Sequence, residues 1–461
     1  MPRFPPSMLS ALLMLVSPPS LAAGSADPFD TEALHQANAS GSFHLACGAK
    51  LGSSPQSLAE VVDYALCNNP QTRLAWAYAR AQAAQVGLAR SATLPELDAS
   101  VERSRTASSP GSSYSQSTAS LSASLLIYDF GARAATQESA RQMMAALNAS
   151  QDASLQTAFF AAVQAYYQWH ALDASVAAAR MAETASEASF KAAQARYRIG
   201  TGTPADALQA QTAASQARLA LIQAEGSARS ALGTLANAMG LDAQQAPALA
   251  PPPDKEPESG FESRVDALIT AAQQRRPDLV AARAQLHAAQ AERDVARASA
   301  MPSLSLAAGT SFIDHSQSGE RRGNSLALSL SIPLFTGFAT TYRVRGAEAQ
   351  IEAKTALREQ LAQQVSLDVW RSYHALTTSI AAVRASADLL ASSAASEKVA
   401  MGRYRAGVGN IIELLNAQSA LASARQQRIL ALYNWRIAKA ALALAMRQLD
   451  FAQIDGEGGQ R

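Results

Sequence analysis

The chain is one unit written twice. Arg196, Tyr197, Arg198, Gly200 and Gly202 (in RYRIGTG) return 207 positions later as Arg403, Tyr404, Arg405, Gly407 and Gly409 (in RYRAGVG). The same offset aligns Pro70 with Pro277, Pro95 with Pro302, Leu121 with Leu328, Tyr128 with Phe335, Asp206 with Glu413 and Met239 with Met446. Alanine bias pairs alanines by chance. It does not hold prolines, glycines and Arg-Tyr pairs in one register. The chain must therefore fold as two equivalent units whose faces bury each other. Repeat 1 covers 57–242 and repeat 2 covers 264–449. Prolines crowd the connection at 243–263, which reads as an extended linker.

What lies outside the repeats is an address and two short tails. Arg3 precedes the apolar run from Met8 to Val16, and Ser20-Leu21-Ala22 supplies small residues for cleavage. This predicts a secretory signal peptide over 1–22. An N-terminal extension (23–56) and a C-terminal tail (450–461) remain. No later apolar run reaches the ~18 residues of a membrane-spanning helix. The two cysteines, Cys47 and Cys67, stand near the mature N-terminus. In an oxidising compartment they are able to pair, and the spacing is equally compatible with two free thiols.

Each repeat gives the same order of elements. A helix over 57–91 and 264–299 ends before Pro95 and Pro302, because proline disfavours helix in the residue before it. Two strands follow. Leu97, Ala99 and Val101 alternate with Asp98, Ser100 and Glu102, and Leu326, Leu328 and Leu330 alternate with Ala327, Ser329 and Ser331. Period two with one apolar face means a hairpin. The hairpins span 95–130 and 302–337, with strands of about ten residues and turn-rich tips at 107–114 and 314–323. Long helical runs then cover 132–198 and 339–405, roughly 100 Å each at 1.5 Å per residue. The glycine motifs break them, and shorter helices follow over 204–240 and 411–448. Composition agrees: hydrophobic residues make up 48%, much of it alanine, with 16% charged and 6% aromatic. Such chains make close-packed long helices rather than a Leu- and Phe-rich globule.

The hairpins constrain the assembly. Strands of this length with one apolar face suit a tilted membrane crossing, and Tyr128, Phe130, Phe335, Phe338 and Tyr342 stand where an interfacial belt belongs. Four strands cannot close a barrel, and an open edge is not tolerated in lipid. Three copies give twelve strands and a pore, whereas two give eight, which side chains fill. The expected fold is thus mainly α with β: two tandem repeats of long helices plus a β-hairpin, trimerising into a 12-stranded outer-membrane β-barrel and a periplasmic α-helical barrel.

Taken together, the signal peptide, tandem halves, twin hairpins and very long helices resemble the TolC family of outer-membrane efflux and secretion channels. Its recurring motifs are similar to Asn69-Pro70, Leu94-Pro95, the Leu-Phe-Thr-Gly run at 334–337 and the two Arg-Tyr-x-x-Gly turns. The stretch at 65–73 (ALCNNPQTR) looks like the toxin-export branch, as in the adenylate cyclase toxin system. The resemblance implies a homotrimer in the outer membrane of a Gram-negative bacterium, extending into the periplasm. It would work with a periplasmic adaptor protein and an inner-membrane ABC or proton-driven transporter. It further implies that the turns built on Arg196, Gly200, Gly202, Arg403, Gly407 and Gly409 form the periplasmic tip and dock the adaptor. Gly200 and Gly407 are the expected left-handed helix ends.

By the same resemblance, Asp206 and Glu413 lie at the aperture, where threefold rings of carboxylate would favour cations. As first-turn residues they would serve equally as helix caps. Asn416 stands where other members carry a second aspartate, and Gly409 where some carry a latching arginine. Tyr197 and Tyr404 are candidates for hydrogen bonding between helices, or simply for packing. The cargo leans to a protein exported by type I secretion; multidrug or metal efflux is the alternative.

Other classes fit less well. Net charge is +2 with no basic cluster, which argues against nucleic acid. No Walker motif, nucleophile elbow or metal-ligand spacing appears, so neither an enzyme, a cofactor nor a bound metal is expected. An adaptor would have one helical hairpin between compact β domains. A coiled-coil surface protein would sustain heptads and lack twin β-hairpins.

Overall fold

The computed structural model describes residues 27–31, 33, 47, 54–108, 112–253, 255–257 and 264–447. The expected signal peptide, most of the N-terminal extension and the tail over 450–461 lie outside these residues. Repeat 1 contains α1 (Leu58–Asn68), α2 (Pro70–Ser91), β1 (Glu96–Ser108), β2 (Ser112–Tyr128), α3 (Ala132–Arg198) and α4 (Pro204–Ala238). Repeat 2 contains α5 (Val265–Arg275), α6 (Pro277–Ala298), β3 (Ser303–His315), β4 (Gly319–Ser331), α7 (Ala339–Arg405) and α8 (Ile411–Ala445).

The helices expected over 57–91 and 264–299 are each two helices. Asn69 and Arg276 hold ψ of 127° and 129°, extended rather than helical. Each precedes a proline, whose ring clashes with a helical neighbour. That proline then takes the first position of the next helix, where no N–H is missed. The corner at Asn69 is locked from two sides. Its Oδ1 accepts the Gln71 N–H at 2.8 Å, and its Nδ2 donates to the Ala238 carbonyl at 3.0 Å. In repeat 2, Arg276 forms ion pairs with Asp278 and Asp368 instead.

The strands are longer than the ten residues expected: 13 in β1, β3 and β4, and 17 in β2. Pairing continues through polar residues because both backbones keep exchanging hydrogen bonds whatever the side chain. The turn expected over 314–323 shrinks accordingly, with His315 pairing directly with Gly319. The four strands form one antiparallel sheet in the order β1-β2-β3-β4, with a bulge between Leu126 and Tyr128. Both edges, β1 and β4, are unpaired in a single copy.

The helices continue below the sheet. α3 is central. Its first half runs beside α2, as Gln82 to the Ala140 carbonyl and Gln137 to the Ala89 carbonyl show, and beside α6 through Ser139 and Glu292. Its second half runs beside α4, through Arg180 and Glu225, and beside α8, through Ser189 and Gln418. α7 lies at the margin. It buries only Val365, Val369, Leu376, Val383, Ser386, Ser393, Ala400 and Tyr404, while Leu357, Leu367, Trp370, Leu389 and Val399 stay exposed. No helix among the described residues is long and apolar enough to cross a membrane.

The main core sits at the waist, halfway along α3. Val61, Val62, Ala65 and Leu66 of α1 pack on Phe159, Ala162, Val163 and Tyr166 of α3, with Leu235 and Met239 closing from below. Cys47 and Cys67 are joined by a disulfide, which ties the N-terminal extension to the last turn of α1. The proline-rich linker crosses the same level. Leu249 bridges Gln56, Tyr166 Oη donates to the Ala250 carbonyl at 2.6 Å, and Arg436 donates to the Pro253 carbonyl at 2.7 Å.

Beneath that strap lies His170, only 7% exposed, against the rings of Tyr166, Trp169 and Tyr433. Burial pushes its pKa down to about 4; the Arg436 charge acts the same way, against the Ala250 carbonyl and Asp173. The unfolded chain therefore binds this proton at higher pH than the folded one. The stability that His170 contributes is complete above about pH 6.5 and is lost as pH falls towards 4. By pH 5 the loss is about 2 kcal/mol. Thermal unfolding at pH 7 and pH 5 should show this drop, and His170→Gln should remove the part due to this residue. An equal drop in the variant would assign the pH dependence elsewhere.

Candidate functional site: the helical tip

The two glycine turns close the ends of the helices farthest from the sheet. Both are Schellman motifs. Thr201 N–H donates to the Arg196 carbonyl and Gly200 N–H to the Tyr197 carbonyl, both at 3.0 Å. Val408 to Arg403 and Gly407 to Tyr404 repeat this at 3.1 Å each. These bonds satisfy carbonyls that a helix end leaves free. Gly200 and Gly407 hold φ of +80° and +79°, the left-handed region.

The second glycines act differently. Neither Gly202 nor Gly409 has positive φ. A Cβ on Gly202 would meet Arg196 Cβ at 3.2 Å, and one on Gly409 would meet Arg403 Cβ at 3.0 Å. They are glycines because the returning chain presses on the turn it has just left. A second glycine two residues on is the only sequence signal of this.

The next helices start at capping residues that the motif search missed. Thr203 Oγ1 accepts the Asp206 N–H at 3.2 Å, and the Asp206 carboxylate accepts the Thr203 N–H at 3.1 Å. This is a capping box, legible as Thr-x-x-acid before an apolar run. Asn410 Oδ1 caps the Glu413 N–H at 2.7 Å. The Glu413 carboxylate pairs instead with Arg403 at 2.8 Å, closing its own hairpin. Asp206 thus lies on the first hairpin and Glu413 on the second, each engaged locally. Glu413 and Asn416 share an alanine-lined groove of about 590 Å³ between α7 and α8, with Ser396 and Val399 on its rim.

The tyrosines diverge. Tyr404 is 6% exposed and Tyr197 47%. Tyr404 packs with Ala193, Ala210, Ala400, Ile411 and Leu414 in a small core that joins both hairpins. Its ring lies 4.2 Å from the Arg196 guanidinium carbon, and Arg196 also donates to the carbonyls of Tyr404 at 2.7 Å and Arg405 at 3.4 Å. Arg196 is therefore a clasp between hairpins, whereas its repeat partner Arg403 stays within one. Sequence could not show this, because the two motifs read alike. Among the described residues no group of His, Cys, Asp and Glu is arranged to hold a metal ion.

Comparison with known proteins follows this architecture. The family described as "Outer membrane efflux protein" matches residues 61–241 and 268–446, one stretch per repeat. Protein CyaE of Bordetella pertussis is 34% identical over 409 residues, 87% of this chain and 86% of that protein. The probable efflux pump outer membrane protein TtgC of Pseudomonas putida is 28% identical over 399 residues, 81% of this chain and 79% of that one. A solved membrane protein from Pseudomonas aeruginosa superposes with a TM-score of 0.76 at 25% identity, covering 87% of this chain and 97% of the other.

Proposed function

The chain belongs to the outer membrane efflux protein family, and from that premise we propose that three copies form a passive conduit through the outer membrane and periplasm. The observation that carries this reading is the incomplete surface of one copy. Its sheet has two open edges, and its outward face bears Leu97, Val101, Leu121, Leu326, Leu328 and Leu330, all at least half exposed. Its marginal helices α2, α4 and α7 likewise expose Trp76, Tyr78, Leu219, Ile222 and Trp370. Lipid accounts for the first face and neighbouring copies for the edges. Twelve strands then close a barrel wide enough for an aqueous bore.

In this reading the tip is the gate and the docking surface. Asp206, Glu413 and Asn416 line the aperture, and the turns around Gly200, Gly202, Gly407 and Gly409 meet a periplasmic adaptor. The inner-membrane transporter supplies energy. The cargo is a secreted protein, on the similarity of 65–73 to the toxin-export branch. Small-molecule efflux is the second reading, favoured by relatives named as efflux pump components.

A photoreactive residue at Val408, which is 71% exposed at the apex of the second turn, tests this in living cells. Capture of an adaptor partnered with an ABC exporter is the expected result. Capture of an adaptor from a proton-driven pump would move the cargo to small molecules. No captured periplasmic protein, with export running, would remove the docking role.

A further inference from the structure

We infer that the outside of the barrel carries a site for the phosphorylated headgroup of an outer-leaflet lipid, built by Arg103 and Arg105 on β1 of one copy and Arg322 on β4 of its neighbour. This rests on the trimeric reading above.

Strand register assigns the faces. Val101 pairs with Ala119, Ala119 with Phe312, and Phe312 with Arg322. Directly paired residues point to the same side of a sheet, and positions two apart along a strand do as well. Arg103, Arg105 and Arg322 therefore stand on the face of Leu97, Val101, Leu326 and Leu328, the face turned to lipid. The Arg322 guanidinium lies 5.7 Å from the Phe312 ring, which agrees. Its neighbour Arg321 pairs with Ile313 on the opposite face, towards the lumen.

Height matters next. On β4 the apolar face runs from Leu330 up to Leu326 and turns basic at Arg322. Ile332 continues that face one step below Leu330 and is exposed; counted from it, ten residues at ~3.4 Å and a ~40° tilt put Arg322 roughly 26 Å up the membrane normal. The apolar band of such barrels is ~25 Å tall. The arginines thus fall where outer-leaflet headgroups lie, directly above the apolar strip.

Their charge is not spent within the protein. Among the described residues, no carboxylate forms an ion pair with any of the three. Two acids share this face: Asp314 and Glu320 stand opposite each other on the rung of Arg103, one step above Arg322, and neither forms an ion pair with it. Closing the barrel places β4 beside the next copy's β1, ~4.8 Å away. That brings three guanidinium groups together at each seam. Guanidinium forks suit phosphate oxygens, and acyl chains find leucines below. One molecule with both parts fits both surfaces, and a free anion fits only one.

The test uses the purified full-length protein in detergent, with micelles containing bisphosphorylated lipid A, dephosphorylated lipid A at equal lipid concentration, or inorganic phosphate at the phosphorus concentration of the first. Native mass spectrometry reads retained lipid and oligomeric mass together. The wild type should retain the bisphosphorylated lipid. R103S/R105S/R322S should retain at least about tenfold less, since each arginine near an anionic lipid surface is worth roughly fivefold. R103K/R105K/R322K should keep most binding, and it stands in if the serine variant does not assemble. A trimer holding equal lipid with serines, equal dephosphorylated lipid, or lipid displaced by inorganic phosphate overturns the site and leaves the channel reading intact. A particle that is not a trimer overturns both.

Discussion

Arg196→Ala should loosen the gate proposed at the helical tip and make the channel leak. Arg196 reaches from the last turn of α3 to the last turn of α7, donates to two carbonyls there and covers the Tyr404 ring. A hydrogen bond from a charged donor is worth about 1.5–3 kcal/mol and an exposed cation–π contact about 0.5–1. The clasp therefore holds each pair of hairpins together by about 2–4 kcal/mol. Losing about 2.7 kcal/mol raises a minor open population on the order of a hundredfold. Conductance of the protein in planar bilayers reads this directly.

Arg403→Ala is the internal control. Arg403 pairs with Glu413 inside a single hairpin, and both side chains are well exposed. Such pairs contribute at most about 1 kcal/mol, and no second hairpin depends on this one. The conductance of R403A should stay within about twofold of wild type. If R196A and R403A leak equally, the clasp between hairpins is not what holds the tip shut.

Gly240→Ala should be the most damaging conservative change in the waist. Gly240 follows α4 with φ of +77°, but this is not the main constraint. Its repeat partner Arg447 holds φ of +55° with a full side chain. The difference lies in what each residue faces. A Cβ on Gly240 would stand 2.7 Å from the Asn68 carbonyl oxygen and 3.1 Å from Asn69 Cα. Both are backbone atoms and cannot swing aside. In repeat 2 the partner of Asn68 is Arg275, and Arg447 reaches out to donate to that carbonyl at 3.0 Å. One repeat closes this corner by direct contact and the other by a long side chain.

Adding the methyl must therefore part α1 from the end of α4 and strain the bond from Asn69 to the Ala238 carbonyl. Overpacking of about 1–3 kcal/mol plus the weakened hydrogen bond predicts a loss of about 2–4 kcal/mol. Denaturant unfolding should show it. A loss below about 1 kcal/mol would mean that positive φ alone, which Arg447 tolerates with a full side chain, and not contact with Asn68, selects glycine at 240.

The long elements were legible in local sequence. The helices expected over 132–198 and 339–405 are Ala132–Arg198 and Ala339–Arg405. Their ends depend on local chemistry alone: a strand turn before, and a glycine able to take positive φ after. The duplication likewise announced the tandem architecture, and the alternation in the hairpins announced a sheet with one apolar face. The stretch at 65–73 was legible as a motif but not as a structure. It is the waist corner, where Cys67 carries the disulfide and Asn69 joins two helices to a third.

How the two repeats differ is a matter of packing. Their motifs are nearly the same, yet Arg196 clasps a neighbouring hairpin while Arg403 stays at home, and Tyr404 is buried while Tyr197 is not. The cause is position. α3 lies between α2, α6, α4 and α8, whereas α7 stands at the margin of the copy. Nearly identical local sequences meet different neighbours, and contact with those neighbours is set by how the repeats pack, which no local pattern encodes.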